Sequence, residues 1–532
     1  MPANTEVAST LDEYAALLEL SGANPYASRA YRRAAALIRG TPVDVSALVR
    51  AGRARSLRGI GPGIEARLRE LIETGDIAEL EELRRTVPVE LVAFGRMHGF
   101  SARRFAEIGS ALGIRTVADL RAAAAEGRLR QVHGVGPSVE AAILAALEKP
   151  ATQPAGGLLL SRARALSSGI AQALGGIAAG DARRWKDTPG RLAVVVPSHD
   201  PGEAQARFAA LPEIVALIEP RIGVTVEGIA IELVTAPPAR LGTELVRATG
   251  SEQYVASIEP LPEAPDERSL YRAIGRPYLP PELREVPTSS PPRDLVEVGA
   301  IRGDLHCHTT WSDGRASVRE VAEAAKARGY DYVAICDHTT GVGVVPGLDA
   351  DALRRQAVEI EQTNGALAPF RVLRGIECDI RPDGTLDLPD DVLAELDWVQ
   401  ISLHAGQRAA RAELTARVTH AMHHPAARCL SHPTGRIIGH RPENQLDIER
   451  TIETAIATGV ALEVNGLPSR LDLAAGHVGE ALAAGVDIVC SSDSHSVEGL
   501  DNIVFAVHTA RRAAAARAAV MNTRPLDALR RR

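Results

Sequence analysis

The chain has 532 residues, 45% of them hydrophobic and 24% charged, a composition typical of an ordinary globular protein with two to four domains. The net charge of −7 excludes a global attraction to nucleic acid, so any DNA binding must come from local geometry. No uncharged apolar stretch reaches the roughly 18 residues that span a bilayer, and five cysteines without a CxxC pair exclude a cysteine-based zinc site, so we expect a cytoplasmic protein.

Two proline-rich segments, 150–157 and 276–294, divide the chain, because proline restricts itself and its predecessor to extended backbone. They predict linkers between three blocks. The expected domains are 1–80 and 81–150, both helical, then a mixed domain at 151–285, a linker at 286–300 and a C-terminal domain at 301–532.

The first block carries two copies of one helical pattern, "LRGIGPGIEARLRELIETG" (57–75) and "LRQVHGVGPSVEAAILAALE" (129–148). In each copy, glycines allow a tight turn that leaves backbone N–H groups at a helix N-terminus, where a phosphate would fit. The glycines expected to contact DNA are Gly59, Gly61, Gly63, Gly134 and Gly136. This pattern resembles the helix-hairpin-helix motif, which grips the DNA backbone without reading its sequence. The alternative is a plain helical hairpin whose glycines serve only packing.

The second block contains "RLAVVV" (191–196) and "GIAIELV" (228–234), which predict strands of a mixed α+β domain. In the third block seven strand-like runs alternate with helices, which predicts a parallel α/β barrel with its active site at the carboxyl ends of the strands. Six of these strands end in the same residue types: His306, His308, Asp337, His338, Glu377, His404, His432, Asp493 and His495.

One histidine on an apolar strand is more often a hydrogen-bonded core residue than a ligand. That reading fails for six strands together, because so many buried imidazoles and carboxylates are costly unless cations balance them. Imidazole with carboxylate suits Zn²⁺, Mn²⁺ or Fe²⁺. The number of candidate ligands exceeds what one ion takes, which predicts a multi-metal site that activates water against a phosphoester.

The runs "DLHCHTTWSDG", "CDH", "GIECDI", "ISLH", "SHPTGR" and "SSDSH" resemble, in order, the motifs of the PHP (polymerase and histidinol phosphatase) family. The resemblance implies a distorted (β/α)7 barrel with three divalent ions. It implies three ligand sets: His306, His308, Glu377 and Asp493; Glu377, His404 and His432; Asp313, His338 and His495. Asp313 and Arg436 are the expected catalytic residues, Arg436 as a phosphate contact, with an ordinary solvated arginine as its alternative.

The order of the blocks resembles the bacterial family X DNA polymerases that carry a C-terminal PHP domain, and implies a polymerase-β-like palm and thumb in block two. The family's paired palm aspartates fall on Arg191 and Ala193, and a third falls on Glu232. An arginine there would repel the two metal ions that nucleotidyl transfer needs.

Other polymerase positions are altered as well. The serine near the nucleotide phosphates falls on Asp181, and the aromatic pair of the nucleotide pocket falls on Arg247 and Ala248. The lyase lysine falls on Arg67, which stays protonated and cannot form a Schiff base.

These features predict a metal-dependent phosphoesterase of DNA repair, of the 3′-5′ exonuclease, 3′-phosphatase or abasic-site endonuclease type. It is joined to a polymerase-like module that no longer polymerises. Its expected partner is gapped, nicked or 3′-ended duplex DNA, bound without sequence preference by a monomer. Two alternatives stay open: a polymerase that still synthesises through other carboxylates such as Asp187 or Glu232, and a DNA-binding scaffold with an inert, metal-stabilised barrel.

Overall fold

The computed structural model describes residues 4–21, 25–41, 43–57, 59–97, 100–148, 158–225, 227–287, 293–343 and 345–530. Within these ranges the chain forms a helical region, a region built on a five-stranded mixed sheet, and a barrel of seven parallel strands. None of the described helices is long and apolar enough to cross a membrane.

The helical region precedes residue 149. Its described helices are α1 (Asn4–Leu20), α2 (Pro25–Gly40), α3 (Val45–Arg50), α4 (Pro62–Thr74), α5 (Ala78–Thr86), α6 (Val89–Met97), α7 (Ala102–Leu112), α8 (Val117–Ala125) and α9 (Pro137–Glu148). Their apolar faces share one core that extends from Val7 to Leu147. A short 3-10 turn precedes each glycine pattern, at Ala54–Ser56 before α4 and at Leu129–Gln131 before α9.

The second region begins with α10 (Leu160–Leu174) and is built on a mixed sheet. Its other elements are β1 (Ile177–Gly180), β2 (Leu192–Pro197), α11 (Pro201–Ala209), β3 (Ile214–Glu219), β4 (Ile222–Thr225), β5 (Ala230–Ala236), α12 (Leu241–Thr249), α13 (Glu252–Ala256) and α14 (Glu267–Ala273). The strand order is β1-β2-β5-β4-β3, with only the β2/β5 pair parallel. Alternate residues of β2 face opposite sides: Val194 packs with α10 and α11, whereas Ala193 packs with α12.

The third region is the predicted barrel. Its strands are β6 (Gly303–Cys307), β7 (Tyr332–Ile335), β8 (Arg371–Asp379), β9 (Trp398–Ser402), β10 (Cys429–Leu430), β11 (Ala461–Asn465) and β12 (Ile488–Ser491). Its helices are α15 (Val318–Ala327), α16 (Ala350–Leu367), α17 (Asp390–Ala394), α18 (Arg411–Met422), α19 (Ile448–Thr458), α20 (Ala475–Ala483), α21 (Ile503–Arg512) and α22 (Leu526–Arg530). All neighbouring strands pair in parallel, in sequence order. The His308 N–H donates to the Ser494 carbonyl at 2.8 Å, which nearly closes the barrel between β6 and β12.

The sheet region docks directly on the barrel. Trp185 stacks on His508 of α21 with ring centroids 3.6 Å apart, and the Arg164 guanidinium lies 3.4 Å from the tryptophan ring. The Asp187 carboxylate accepts a hydrogen bond from Arg436 at 2.9 Å. Aromatic stacking and charge pairing therefore hold the loop between β1 and β2 against the barrel.

Parts of the predicted linkers are packed. Within 276–287, Arg284 is fully buried and its Nη1 contacts Glu267 at 2.5 Å, so this stretch is not a free tether. Val296 is also buried, and its N–H donates to Ala515 O at 3.0 Å. The segments 149–157 and 288–292 lie outside the described residues.

Candidate metal centre

The barrel places the nine predicted metal ligands around one point. His306 and Glu377 lie on β6 and β8, and the others follow directly after β6, β7, β9, β10 or β12, at the carboxyl ends of the strands. His432 and Asp493 have positive φ values of 25° and 51°, a left-handed backbone that residues other than glycine seldom adopt. Such conformations concentrate at functional sites, where surrounding packing offsets their cost.

Glu377 lies at the middle of the cluster and is 1% exposed. One of its carboxylate oxygens, Oε2, lies 2.9 Å from His338 Nδ1, 3.5 Å from His306 Nε2 and 3.7 Å from His308 Nε2. The other, Oε1, lies 2.8 Å from His432 Nε2 and 3.6 Å from His404 Nε2. A single carboxylate therefore faces five imidazoles, as a bridging ligand would.

Two aspartates complete the cluster. Asp493 Oδ1 lies 3.2 Å from His308 Nε2 and 3.8 Å from His306 Nε2. Asp313 lies on the more open side: its Oδ2 is 3.3 Å from His495 Nε2, and its Oδ1 is 3.7 Å from His338 Nε2. Both aspartates therefore face imidazole nitrogens closely enough for one cation to bind both groups.

Ligand atoms within 4.8 Å of one another form three overlapping groups: His308, Asp313, His338 and His495; His306, His308 and Asp493; His338, Glu377 and His404. The groups differ in detail from the predicted sets, because His308 and His338 each belong to two of them. His432 belongs to none of the three groups but contacts Glu377.

The donor chemistry fits divalent cations. Nδ1 of His308 and of His432 is buried without a hydrogen-bond partner among the described residues, and Nε2 of His306 and Nε2 of His308 lie 3.1 Å apart. Burial would raise the pKa of Glu377, but the imidazoles around it hold that pKa well below its usual range. Burial and neighbouring imidazoles lower the pKa of His308 to about 4, despite Asp493. Charged carboxylates thus face a neutral imidazole with an available lone pair, the state in which both bind metal.

Glu463 was missed by the sequence reasoning, which assigned no site residue to β11. It is fully buried, and His306 Nδ1 lies 2.7 Å from its Oε1 while the His432 N–H donates to its Oε2 at 2.7 Å. Because a carboxylate holds the proton on Nδ1, Nε2 of His306 faces the centre as a ligand atom. The available signal was an acidic residue inside the apolar run "VALEVNG".

Asp337, predicted among the strand-end candidates, faces another way. Its Oδ1 accepts hydrogen bonds from the Thr309 N–H at 2.7 Å and from Ser312 Oγ at 2.5 Å, and its Oδ2 accepts from Gln356 Nε2 at 2.6 Å. With both oxygens committed, Asp337 anchors the loop after β6 and is not a metal ligand.

Arg436 also differs from its predicted role as a phosphate contact. Its Nε donates to Arg470 O at 2.9 Å, Nη1 donates to Asp187 at 2.9 Å, and Nη2 donates to Leu471 O. Every guanidinium nitrogen is engaged, two with carbonyls of the barrel and one with Asp187 of the sheet region, so the prediction is not supported. Arg470 lies nearer to the centre, with its Nε 3.8 Å from Asp493 Oδ2.

The polymerase-like positions lie together in the sheet region. Ala193 is paired in register with Glu232, and Arg191 Nη2 lies 3.6 Å from Glu232 Oε2. Ala193 is fully buried and packs with Leu245 and Ala248. The three positions at which palm aspartates were predicted thus hold one buried methyl group and one arginine–glutamate pair.

The helix-hairpin-helix glycines fall into two groups, one with a positive φ and one with open space beside the Cα atom. Gly59 and Gly134 have φ values of 113° and 77°, which require glycine. A Cβ atom at Gly61, Gly63 or Gly136 would meet nothing within 4 Å, so internal packing does not explain these three. Arg67, at the lyase position, is held by Glu70 at 2.8 Å and by Glu79 at 2.5 Å.

Several known families and proteins are similar to this chain. The helix-hairpin-helix domain family matches residues 2–77, and the PHP domain family matches residues 304–466. The DNA polymerase/3′-5′ exonuclease PolX of Bacillus subtilis is 34% identical over 561 aligned residues, covering 98% of this chain and 97% of that protein. A "Probable phosphatase" of Acetivibrio thermocellus is 30% identical over 36% of this chain and 78% of its own length. A solved structure of a candidate histidinol phosphatase from Listeria monocytogenes, 18% identical, covers 37% of this chain and 97% of that one with a TM-score of 0.32.

The barrel with its convergent imidazoles and carboxylates is a PHP domain, and the chain is a hydrolase of the phosphoesterase class. Since the likeness to PolX covers almost the whole of both chains, the protein belongs to the PolX-type family X DNA polymerases with a C-terminal PHP domain. This confirms the predicted family and fold class. Family membership and the helix-hairpin-helix domain imply that it binds DNA.

Proposed function

We propose that this protein is a DNA-repair nuclease that trims or cleaves at 3′ ends, gaps or abasic sites through its PHP domain, and that its polymerase module has lost synthesis. The convergence of His306, His308, Asp313, His338, Glu377, His404, His432, Asp493 and His495 carries this proposal. We assign up to three divalent ions to these ligands, with Mn²⁺ or Zn²⁺ as the leading candidates and Fe²⁺ as a third.

Ions held there would activate water and offset the charge of a phosphoester. The chain's own residues prepare the site for them. Glu377 presents both oxygens to separate imidazoles and keeps the centre anionic. Glu463 orients His306, and Asn465 donates to Asp493 Oδ2 at 3.0 Å, so two of the proposed ligands are held before a substrate arrives.

Asp313 is the residue that we assign to the substrate side of the centre. Its side chain is 26% exposed, whereas those of Glu377 and Asp493 are 1% and 5% exposed. A charged carboxylate at this opening can orient a water molecule toward an incoming phosphoester.

The helical modules would hold the DNA. Gly61, Gly63 and Gly136 leave open space at the starts of α4 and α9, where the backbone N–H groups of a helix N-terminus favour a phosphate. Such contacts are independent of base sequence, which suits a repair enzyme that acts on gaps and ends.

Loss of synthesis is supported by the residues that replace the palm carboxylates. Arg191 pairs with the remaining Glu232, and Ala193 is covered by α12. Asp187, the other carboxylate considered for synthesis, is bonded to Arg436 and lies 3.6 Å from Arg512. None of these arrangements leaves a pair of free carboxylates to hold two ions.

The test is to incubate a 5′-labelled primer, annealed to a gapped template, with the protein and Mn²⁺, with and without dNTPs. We expect the primer to shorten in both conditions, and the His306→Ala/His308→Ala variant to leave it intact. A matched control is His423→Ala/His424→Ala, since these histidines lie at the outer end of α18 and contact Thr419 and Asp390.

Lengthening of the primer with dNTPs would show that the module still synthesises. An intact primer with wild-type protein, combined with normal DNA binding, would instead support the inert scaffold.

A further inference from the structure

The metal centre is most exposed to solvent at three of its residues. Of its nine residues, only Asp313, His404 and His495 have side chains more than 10% exposed, at 26%, 17% and 33%. A phosphodiester bond must therefore approach past these three residues. A single strand is narrower than a duplex, so its end can extend further among buried side chains.

A cavity of about 640 Å³ adjoins the centre at His404. The loops after β9 and β10 form its walls, which include Gln407, Arg408, His440 and Arg441. Arg408 is exposed, and no described carboxylate lies within ion-pairing distance of it or of Arg441. The Glu443 carboxylate in the same wall lies 3.2 Å from His477 and 3.6 Å from Arg436, so it is not an ion-pair partner of Arg408 or Arg441.

A third arginine lies beside the metal centre. Arg470 contacts the metal-ligand candidate Asp493 at 3.8 Å and is near enough to Arg441 to affect it electrostatically. Burial, Arg470 and Arg408 all lower the pKa of Arg441, and Asp472 opposes them. An anion bound among these guanidinium groups would offset their mutual repulsion.

A second cavity, of about 670 Å³, also has arginines in its walls. It shares His440 with the first cavity and is lined by Arg29, Arg33 and Arg162 from α2 and α10. The two cavities together have six arginines and three glutamates in their walls, in a chain with a net charge of −7. This local excess of positive charge leads from the helical region to the metal centre.

We propose that a single DNA strand reaches the metal centre through the cavity beside His404, with its phosphodiester backbone held by Arg408, Arg441 and Arg470. This inference rests on the proposed nuclease function and specifies its substrate as an unpaired strand. Apart from histidines, neither cavity is lined by an aromatic residue within the part of the chain that the structure describes. Strand binding is therefore electrostatic and must weaken with salt.

The experiment measures kcat and KM for a 5′-labelled single-stranded oligonucleotide with Mn²⁺, over a series of NaCl concentrations. A small chromogenic phosphodiester, which has no neighbouring phosphates, is the second substrate. For Arg408→Ala we expect a roughly five- to tenfold higher KM for the oligonucleotide and a larger loss in kcat/KM for it than for the small diester. The slope of log KM against log salt should fall by about 0.7, the value for one phosphate contact on a single strand.

Two further variants separate charge from packing. Arg408→Lys keeps the charge and should keep the salt slope of the wild type. Arg319→Ala removes another exposed arginine of the barrel, one that lies on α15 and pairs with Glu323, and should match the wild type throughout.

Equal salt slopes for the wild type, Arg408→Ala and Arg319→Ala would overturn the proposal that the strand binds in this cavity. An equal rise in KM for Arg408→Ala and Arg408→Lys would overturn it as well. Cleavage of the small diester without cleavage of the oligonucleotide would also overturn this proposal, although the protein would still be a phosphoesterase. If the wild type cleaves neither substrate, the proposed function itself fails, and the path with it.

Discussion

Replacing Glu463 with glutamine should weaken metal binding although Glu463 is not itself a proposed ligand. Its Oε1 faces His306 Nδ1 at 2.7 Å and Gln400 Nε2 at 2.8 Å, and its Oε2 faces the His432 N–H at 2.7 Å and Ser431 Oγ at 3.1 Å. A glutamine has one oxygen and one NH₂ group. In one orientation of the glutamine side chain, its NH₂ donor faces the Nδ1–H donor of His306. In the other orientation it faces the backbone N–H donor of His432.

Either orientation disturbs one proposed ligand. Loss of such a partner behind a ligand typically lowers metal affinity 10- to 100-fold, which is about 1.4–2.7 kcal/mol. The assay is calorimetric titration of metal-stripped protein with Mn²⁺, accompanied by exonuclease rates at limiting and saturating Mn²⁺. We expect the rate at limiting Mn²⁺ to fall more than the rate at saturation.

The matched control is Glu267→Gln, which changes another buried glutamate far from the ligand cluster. Glu267 holds Arg183 at 2.7 Å and Arg284 at 2.5 Å, so its loss should lower the thermal midpoint without changing Mn²⁺ affinity. An affinity of Glu463→Gln within twofold of the wild type would refute the view that Glu463 orients His306.

Three further predictions concern the sheet region and its contact with the barrel. Ala193→Asp should lower the free energy of unfolding by about 3 kcal/mol, because it buries a carboxylate beside Leu245 and Ala248. The variant should not incorporate dNTPs, and unchanged stability together with primer extension would contradict this prediction. Burial would raise the pKa of Glu282, but His508 and Arg511 lower it from 4.5 to about 2. The ionised carboxylate therefore stabilises the folded protein by about 3 kcal/mol above pH 4.5, and this contribution is lost as the pH falls toward 2. Chemical denaturation across that window should show a flatter pH dependence for Glu282→Gln than for the wild type, and parallel curves would contradict the assignment. Trp185→Ala should speed hydrogen exchange in α21 because it removes the ring between Arg164 and His508, whereas Trp398→Phe, inside the barrel, should not do so selectively.

The sequence by itself determined the arrangement of the barrel and the set of residues at its open end. Strands that alternate with helices form parallel sheets, and parallel strands end on the same side, so polar residues at strand ends in the sequence must meet in space. Periodicity and position along each strand brought eight of the nine proposed ligands together, and the resemblance to the PHP family added Asp313. The glycine turns before α4 and α9 were predictable for a similar reason, since they depend on neighbouring residues only.

The tertiary structure decided the roles that depend on partners distant in sequence. His306 and Glu463 are 157 positions apart, and Arg436 and Asp187 are 249 apart, so no local pattern predicts either pair. For the same reason the sequence alone does not distinguish Asp337 from a ligand, since its hydrogen bonds with Thr309 and Gln356 come from tertiary packing. Side-chain chemistry is local, but the direction in which a side chain faces and the group that it meets are set by packing between whole elements.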